Sequence, residues 1–392
     1  MTSANKLKIL NDPIYGFITI PATLLYDLIQ HPYFQRLRRI KQMGLSSLVY
    51  PGAEHTRFHH ALGCMHMMQK AVQVLRFKNV EISKEEEEAL YIAILLHDIG
   101  HGPFSHAMEH SIVENIHHEE ISLLFMEALN EEFEGKLSLA IEIFKGNYPR
   151  KFLIQLISSQ MDMDRMDYLK RDSFYSGVAE GNINSERLVQ MINVHNDVLV
   201  VEEKGIYSVE KFLVARRLMY WQCYLHKTSV GAELLLSKIL KRAKQLTLQG
   251  VDLPASNALK FFLENNVLKA DFNKEVLNNF ALLDDADIYT ALKNWQFHTD
   301  KVLSYLSSAI VNRKLFHAQL VSKDDLASKL SYYQELCKDK LEVSEGLDYF
   351  VFGDKLKNQA YDLKADPIRI FTKNKEIIDV LEASDQYNLK AL

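Results

Sequence analysis

Hydrophobic and polar positions change rhythm several times along the chain, and the changes mark its elements. "LKILNDPIYGFITI" alternates apolar and polar residues around an Asp-Pro and a Gly, which predicts a short β-hairpin within residues 1–20. From 21 to about 250 the apolar positions fall at helical spacing. "PATLLYDLIQ" and "PYFQRLRRIKQMG" each open on a proline suited to a helix N-terminus, and the second stops at Gly44. Ser83 followed by Glu86 has the spacing of a capping box, and the acids at 85–88 sit where the helix dipole favours negative charge, so a helix is predicted over 84–98. Further helices are predicted at 104–112, 118–133, 150–158, 162–170, 185–194 and 208–245, with a hairpin interrupting near 195–207 ("HNDVLVVEEKGIYS"). Beyond about 250, after "QGVDLPASN", helices mix with strand-like "LDYFVFGD" and "DPIRIFTKN". The expected architecture is mainly α: a hairpin at 1–20, a helical domain over 21–250 and a smaller C-terminal α+β lobe over 251–392.

Composition narrows the picture without changing it. The 392 residues are 47% hydrophobic and 25% charged, with a net charge of -5, so no basic field exists for gripping a nucleic-acid backbone and small anions are the better class of partner. The three cysteines, Cys64, Cys223 and Cys337, are scattered and odd in number, which argues against a disulfide framework or a thiolate metal site. No apolar run approaches the ~20 residues that span a bilayer, and "MTSANKLKIL" lacks a signal core, so a cytoplasmic protein is expected.

Chemistry concentrates at one place. The apolar run "ALYIAILL" at 89–96 leads straight into "HDIGHGPFSH" at 97–106. A carboxylate delivered by so apolar a helix is expected to be buried, and a buried carboxylate must be paired or coordinated. Imidazole and carboxylate together suit Mn, Fe, Ni, Zn or Mg. Adjacent residues on a helix point about 100° apart, so His97 and Asp98 need ligands from other segments. "RFHH" offers His60, and "DMDRMDYLKRD" offers Asp162, Asp164 and Asp167. His106 and Glu109, three apart, and His118 beside Glu119 have the form of acid/base pairs, although Glu119 and Glu120 equally suit the first turn of a helix. Arg57, Arg165 and Arg216 are the candidates for neutralising phosphate oxygens, and most such arginines are solvated.

Taken in order, "NDPIYGFI", "PYFQRLRRIKQMG", "YPGAEHTRFHHALG", "LLHDIGHGPFSH", "HHEE" and "DMDRMDYLKRD" resemble the HD-domain metal-dependent phosphohydrolases, and among them the deoxynucleoside triphosphate triphosphohydrolases, over roughly residues 7–245. The resemblance implies an HD-domain helical bundle with one divalent metal ion per subunit on His60, His97, Asp98 and Asp164, leaving Asp162 and Asp167 aside. It implies that His101, His106 with Glu109, and His118 with Glu119 surround the scissile phosphate, with His106 and His118 moving protons. Arg57, Arg165 and Arg216 would contact the triphosphate, Gln42 and Asp172 the sugar 3′-hydroxyl, and Tyr168 and Tyr224 the sugar ring. The implied reaction yields deoxynucleoside and tripolyphosphate. An activating nucleotide and a homo-oligomer, dimer or tetramer, go with it; no membrane does.

Two departures stand out. Tyr220 replaces a histidine of the family's sterile-alpha-motif and HD-domain member, and Gln30 replaces an aspartate of its regulatory guanine site, although Gln35 and Arg38 are kept. No sterile-alpha-motif segment precedes the hydrolase body in the sequence as read. The rival readings are an HD phosphohydrolase acting on a monophosphate, cyclic nucleotide or alarmone, and a non-catalytic nucleotide sensor.

Overall fold

A computed structural model describes residues 8–104, 107–108, 111–113, 116–341, 346–356, 361–362 and 364–385. The chain is mainly α, with a two-stranded N-terminal hairpin and a small four-stranded sheet. Strands β1 (Lys8–Asp12) and β2 (Gly16–Ile20) pair antiparallel from Lys8↔Ile20 to Asp12↔Gly16. The turn between them closes on Asp12, whose Oδ1 accepts the backbone N–H groups of Ile14 and Tyr15 at 2.9 and 3.0 Å.

At the centre of the body lies the Lys84–Leu96 helix. Ser83 Oγ accepts Glu86 N–H at 3.1 Å and Glu86 Oε2 accepts Ser83 N–H at 2.9 Å, the reciprocal capping the spacing predicted. Every side chain from Ala89 to Leu96 is buried. Each large aliphatic among them contributes about 1.5–3 kcal/mol of transfer free energy, so the helix is anchored along its length and its C-cap, His97, has little freedom to move. The Arg57–Phe77 helix packs along it, and the Met163–Ser176 helix packs against Arg57–Phe77 in turn.

Several elements differ from the sequence pattern. The helix expected over 32–44 is one α-turn, Pro32–Gln35, followed by 3₁₀ turns at Arg36–Arg39 and Gly44–Leu48. Buried Arg36 sends its guanidinium to the carbonyls of Ile99 (2.7 Å) and His101 (2.9 Å), and residues 40–42 pair with 55–57 through Gln42 N–H to His55 O (3.0 Å) and Arg57 N–H to Ile40 O (2.9 Å). Those tertiary bonds outcompete local helix. The long helix expected over 208–245 is two, Ile206–Met219 and Lys227–Leu248, joined by a π-helical turn at Tyr220–Tyr224, a geometry often found at functional sites.

The hairpin expected near 195–207 starts earlier: β3 (Ile192–His195) and β4 (Val198–Glu202) turn through Asn196 and Asp197, both at positive φ. It is also more than a projection from the helices. β4 pairs parallel with β5 (Arg369–Phe371), which pairs antiparallel with β6 (Ile377–Asp379). "LDYFVFGD" is a 3₁₀ turn at Leu347–Tyr349 rather than a strand, and its Phe350 packs against Tyr305 and Phe316. The helix expected over 104–112 lies partly outside the described residues. Among the described residues no helix is long and apolar enough to cross a membrane.

Candidate active site

Three segments deliver the metal-ligand candidates to one point. His60 comes from the first turn of Arg57–Phe77, His97 and Asp98 from the end of the buried helix, and Asp164 from the first turn of Met163–Ser176. His60 Nε2 lies 3.0 Å from Asp164 Oδ1 and 3.7 Å from Asp98 Oδ2, and His97 Nε2 lies 3.5 Å from Asp98 Oδ1 and 3.6 Å from Asp164 Oδ1. Asp162, set aside above, caps the third helix: its Oδ1 accepts Arg165 N–H at 2.8 Å and its Oδ2 accepts Ser159 N–H at 2.9 Å.

Both imidazoles are held by their other nitrogen. His97 Nδ1 donates to Ile94 O at 2.6 Å, and His60 Nδ1 donates to Asp167 Oδ2 at 2.8 Å. In the neutral rings each Nε2 is therefore a lone pair aimed at carboxylate oxygens, and His97 Nε2 is buried with no hydrogen-bond partner among the described residues. Such a set calls for a positive centre. Burial opposes charge on the rings, yet the Cys64 thiol, Asp164 and Asp167 hold the His60 pKa well above the ordinary imidazole value, and Asp98 and Asp164 raise that of His97. Burial likewise opposes charge on Asp98 and Asp164, but the surrounding histidines, with Arg57 beside Asp98, lower both. The donors fit a divalent ion by chemistry and by this shared demand for a cation.

Asp167 was a candidate by spacing, and its place is behind His60 rather than beside it. It also accepts Arg171 Nε and Nη2 at 2.9 and 3.0 Å, and Arg171 Nη1 reaches Asp12 Oδ2 of the hairpin turn at 2.8 Å, all with side chains almost wholly buried. Burial disfavours the Asp167 anion, but Arg171 and His60 prevail and hold its pKa down to about 2. Gly63 makes room for this pair, because a Cβ there would overlap Asp167 Oδ1 and Arg171 Nη2. Gly63→Ala should destabilise the fold by about 1–3 kcal/mol through overpacking, read as a lowered midpoint in denaturant unfolding; an unchanged midpoint would show that the pair yields without cost.

Around the cluster, Arg57 Nη1 donates to Asp98 Oδ2 at 2.8 Å, and His101 Nε2 lies 3.3 Å from Asp98 Oδ1. Burial and the Arg57 charge push the His101 pKa well below the ordinary value. Its ring stacks face to face on His118 at 3.8 Å, and His118 Nε2 stands 3.4 Å from Glu119 Oε1. His106 and Glu109 lie outside the described residues. Arg165 pairs with Asp162, and buried Arg216 lies over the Tyr220 ring and acts electrostatically on Tyr168. Nε of Arg57, Nε of Arg165, and Nε and Nη1 of Arg216 are buried without a hydrogen-bond partner among the described residues.

A second wall carries the other candidates. Asp172 Oδ2 accepts Tyr224 OH at 2.7 Å and Oδ1 accepts His55 Nε2 at 2.6 Å. Tyr168 bridges the two walls, its ring 6.5 Å from His60 and 6.0 Å from Tyr224, with Tyr220 5.2 Å from Tyr224. Gln42 Oε1 is buried and unpartnered among the described residues. His55 was not singled out by the sequence. Its signal was present in "AEHTRFHH", where only one of three histidines had been given a role. Of the positions that the resemblance matched to a guanine site, Gln30 is exposed, while Arg38 donates to Gln35 Oε1 at 2.9 Å and lies over the Phe58 ring.

Comparison with known proteins bears on this arrangement. The HD domain family matches residues 57–172 and the HD associated region family matches residues 183–260. The uncharacterized protein YwfO of Bacillus subtilis is 32% identical over 96% of this chain and 88% of its own length. A deoxynucleoside triphosphate triphosphohydrolase SAMHD1 homolog of Dictyostelium discoideum is 30% identical over 62% of this chain, which spans about half (51%) of that relative. A crystal structure of a phosphohydrolase from Bacteroides thetaiotaomicron is 52% identical, covers 99% of this chain and 97% of that one, and superposes with a TM-score of 0.93.

Proposed function

The chain belongs to the HD-domain phosphohydrolase family, and on that premise we propose that it hydrolyses deoxynucleoside triphosphates to deoxynucleoside and tripolyphosphate. The observation that carries this reading is the set of three guanidiniums, from Arg57, Arg165 and Arg216, with unpartnered N–H groups buried beside the His/Asp cluster. Arg57 and Arg165 each pair with one carboxylate, Asp98 and Asp162, yet their Nε groups and two donors of Arg216 remain buried without an acceptor among the described residues, which is costly, and planar forks suit phosphate oxygens. The tyrosine and Asp172 wall beyond them has the groups to receive a sugar.

His60, His97, Asp98 and Asp164 would hold the divalent ion, which when bound supplies Lewis acidity and a water of lowered pKa. The three arginines bind and orient the triphosphate. A water oxygen bonds to the α-phosphorus, the bond from that phosphorus to the 5′-oxygen breaks, and the leaving oxygen takes up a proton. His118, braced by Glu119 and by its stack on His101, is the described imidazole that serves that transfer. His106 with Glu109 completes the proposed proton-transfer set. Gln42, Asp172, Tyr168 and Tyr224 hold the sugar. An activating nucleotide and a dimeric or tetrameric assembly belong to the same reading.

A panel of deoxy- and ribonucleotides, each with Mn or Mg and with or without GTP, is the test. Tripolyphosphate and free deoxynucleoside are expected. Orthophosphate or pyrophosphate as product would instead assign another nucleotide substrate, and binding without turnover in Mn would make the protein a sensor.

A further inference from the structure

Asp172 is gripped from two sides, by Tyr224 OH at Oδ2 and His55 Nε2 at Oδ1. Each carboxylate oxygen retains a second lone pair, so the group is oriented without being closed to a ligand hydroxyl. His55 is itself fixed. Its side chain is fully buried, its ring stacks on Tyr175 at 4.4 Å and 17°, and its carbonyl accepts Gln42 N–H at 3.0 Å. One residue thus sets both the main-chain position of Gln42, whose Oε1 has no partner among the described residues, and the side-chain orientation of Asp172. It does so two positions before Arg57, on the same extended pairing with residues 40–42.

We infer that His55 is a positioning residue that holds Asp172 and Gln42 together about the substrate's 3′-hydroxyl, and so makes turnover depend on that hydroxyl. The inference rests on the deoxynucleotide reading above. Its test compares a deoxynucleoside triphosphate with the 2′,3′-dideoxy counterpart on three chains: wild type, His55→Phe, which keeps a ring to stack on Tyr175 but no donor, and His55→Gln, which keeps an N–H. For His55→Phe, kcat/KM on the deoxynucleotide should fall about tenfold to a hundredfold while the dideoxynucleotide changes by less than about threefold. His55→Gln should recover part of the discrimination. Parallel losses on both substrates, or no loss on either, would overturn the positioning role while leaving the deoxynucleotide reading intact. A wild-type chain that cleaves neither would overturn both.

Discussion

Replacing Asp164 with alanine should strip the protein of stoichiometric metal and lower turnover about a thousandfold or more, since a bound ion supplies several kcal/mol of transition-state stabilisation. Asp164 is the cleanest of the four proposed ligands to remove. Its side chain keeps 27% of its exposure, so truncation opens no deep cavity, whereas Asp98 also neutralises the Arg57 guanidinium. Loss of Asp164 leaves His60 Nε2 and His97 Nε2 facing Asp98 alone. Elemental analysis of the purified variant, read beside its hydrolysis rate and its unfolding midpoint, decides the matter. Full metal with full activity in a folded protein would refute the ligand assignment.

Asp167→Asn should have the next largest effect, and on two measurements at once. Asparagine preserves the shape of the side chain but removes the charge that faces His60 Nδ1 and Arg171. Loss of an orienting carboxylate behind a metal-binding histidine lowers metal affinity by about 10–100-fold. Arg171 is fully buried and would retain Asp12 as its one remaining carboxylate among the described residues, so breaking half of its pairing should cost about 3 kcal/mol of stability. Metal titration reports the first effect, and denaturant unfolding of the metal-free chain reports the second. Unaltered affinity with reduced stability would make Asp167 a purely structural residue.

The apolar run at 89–96 announced its own burial, and with it the fate of His97 and Asp98 at its end. The capping box at Ser83 was equally readable, because its bonds join residues three apart. Arg216 was harder. By sequence it resembled any arginine on a helix, and only its burial at 8% exposure beside the tyrosines sets it apart. The π-turn at Tyr220–Tyr224 had no proline or glycine to mark it, since its payoff is the distant bond from Tyr224 to Asp172.

By itself, then, the chain's pattern determined whatever depends on neighbours within a turn or a strand pair: the hairpin at its start, the helical body, and which residue types carry chemistry. Tertiary structure alone decided which acids belong together. Asp162 became a cap, Asp164 turned to the histidines, and Asp167 went behind His60, although all three sit within six residues of one another. Asp164 and Asp167, three apart, share a helix face and meet opposite nitrogens of His60, while Asp162 is the N-cap. Which side meets an imidazole, a guanidinium or a backbone N–H is settled by the segments packed against it, including a hairpin turn more than 150 residues away whose Asp12 completes the Arg171 pairing.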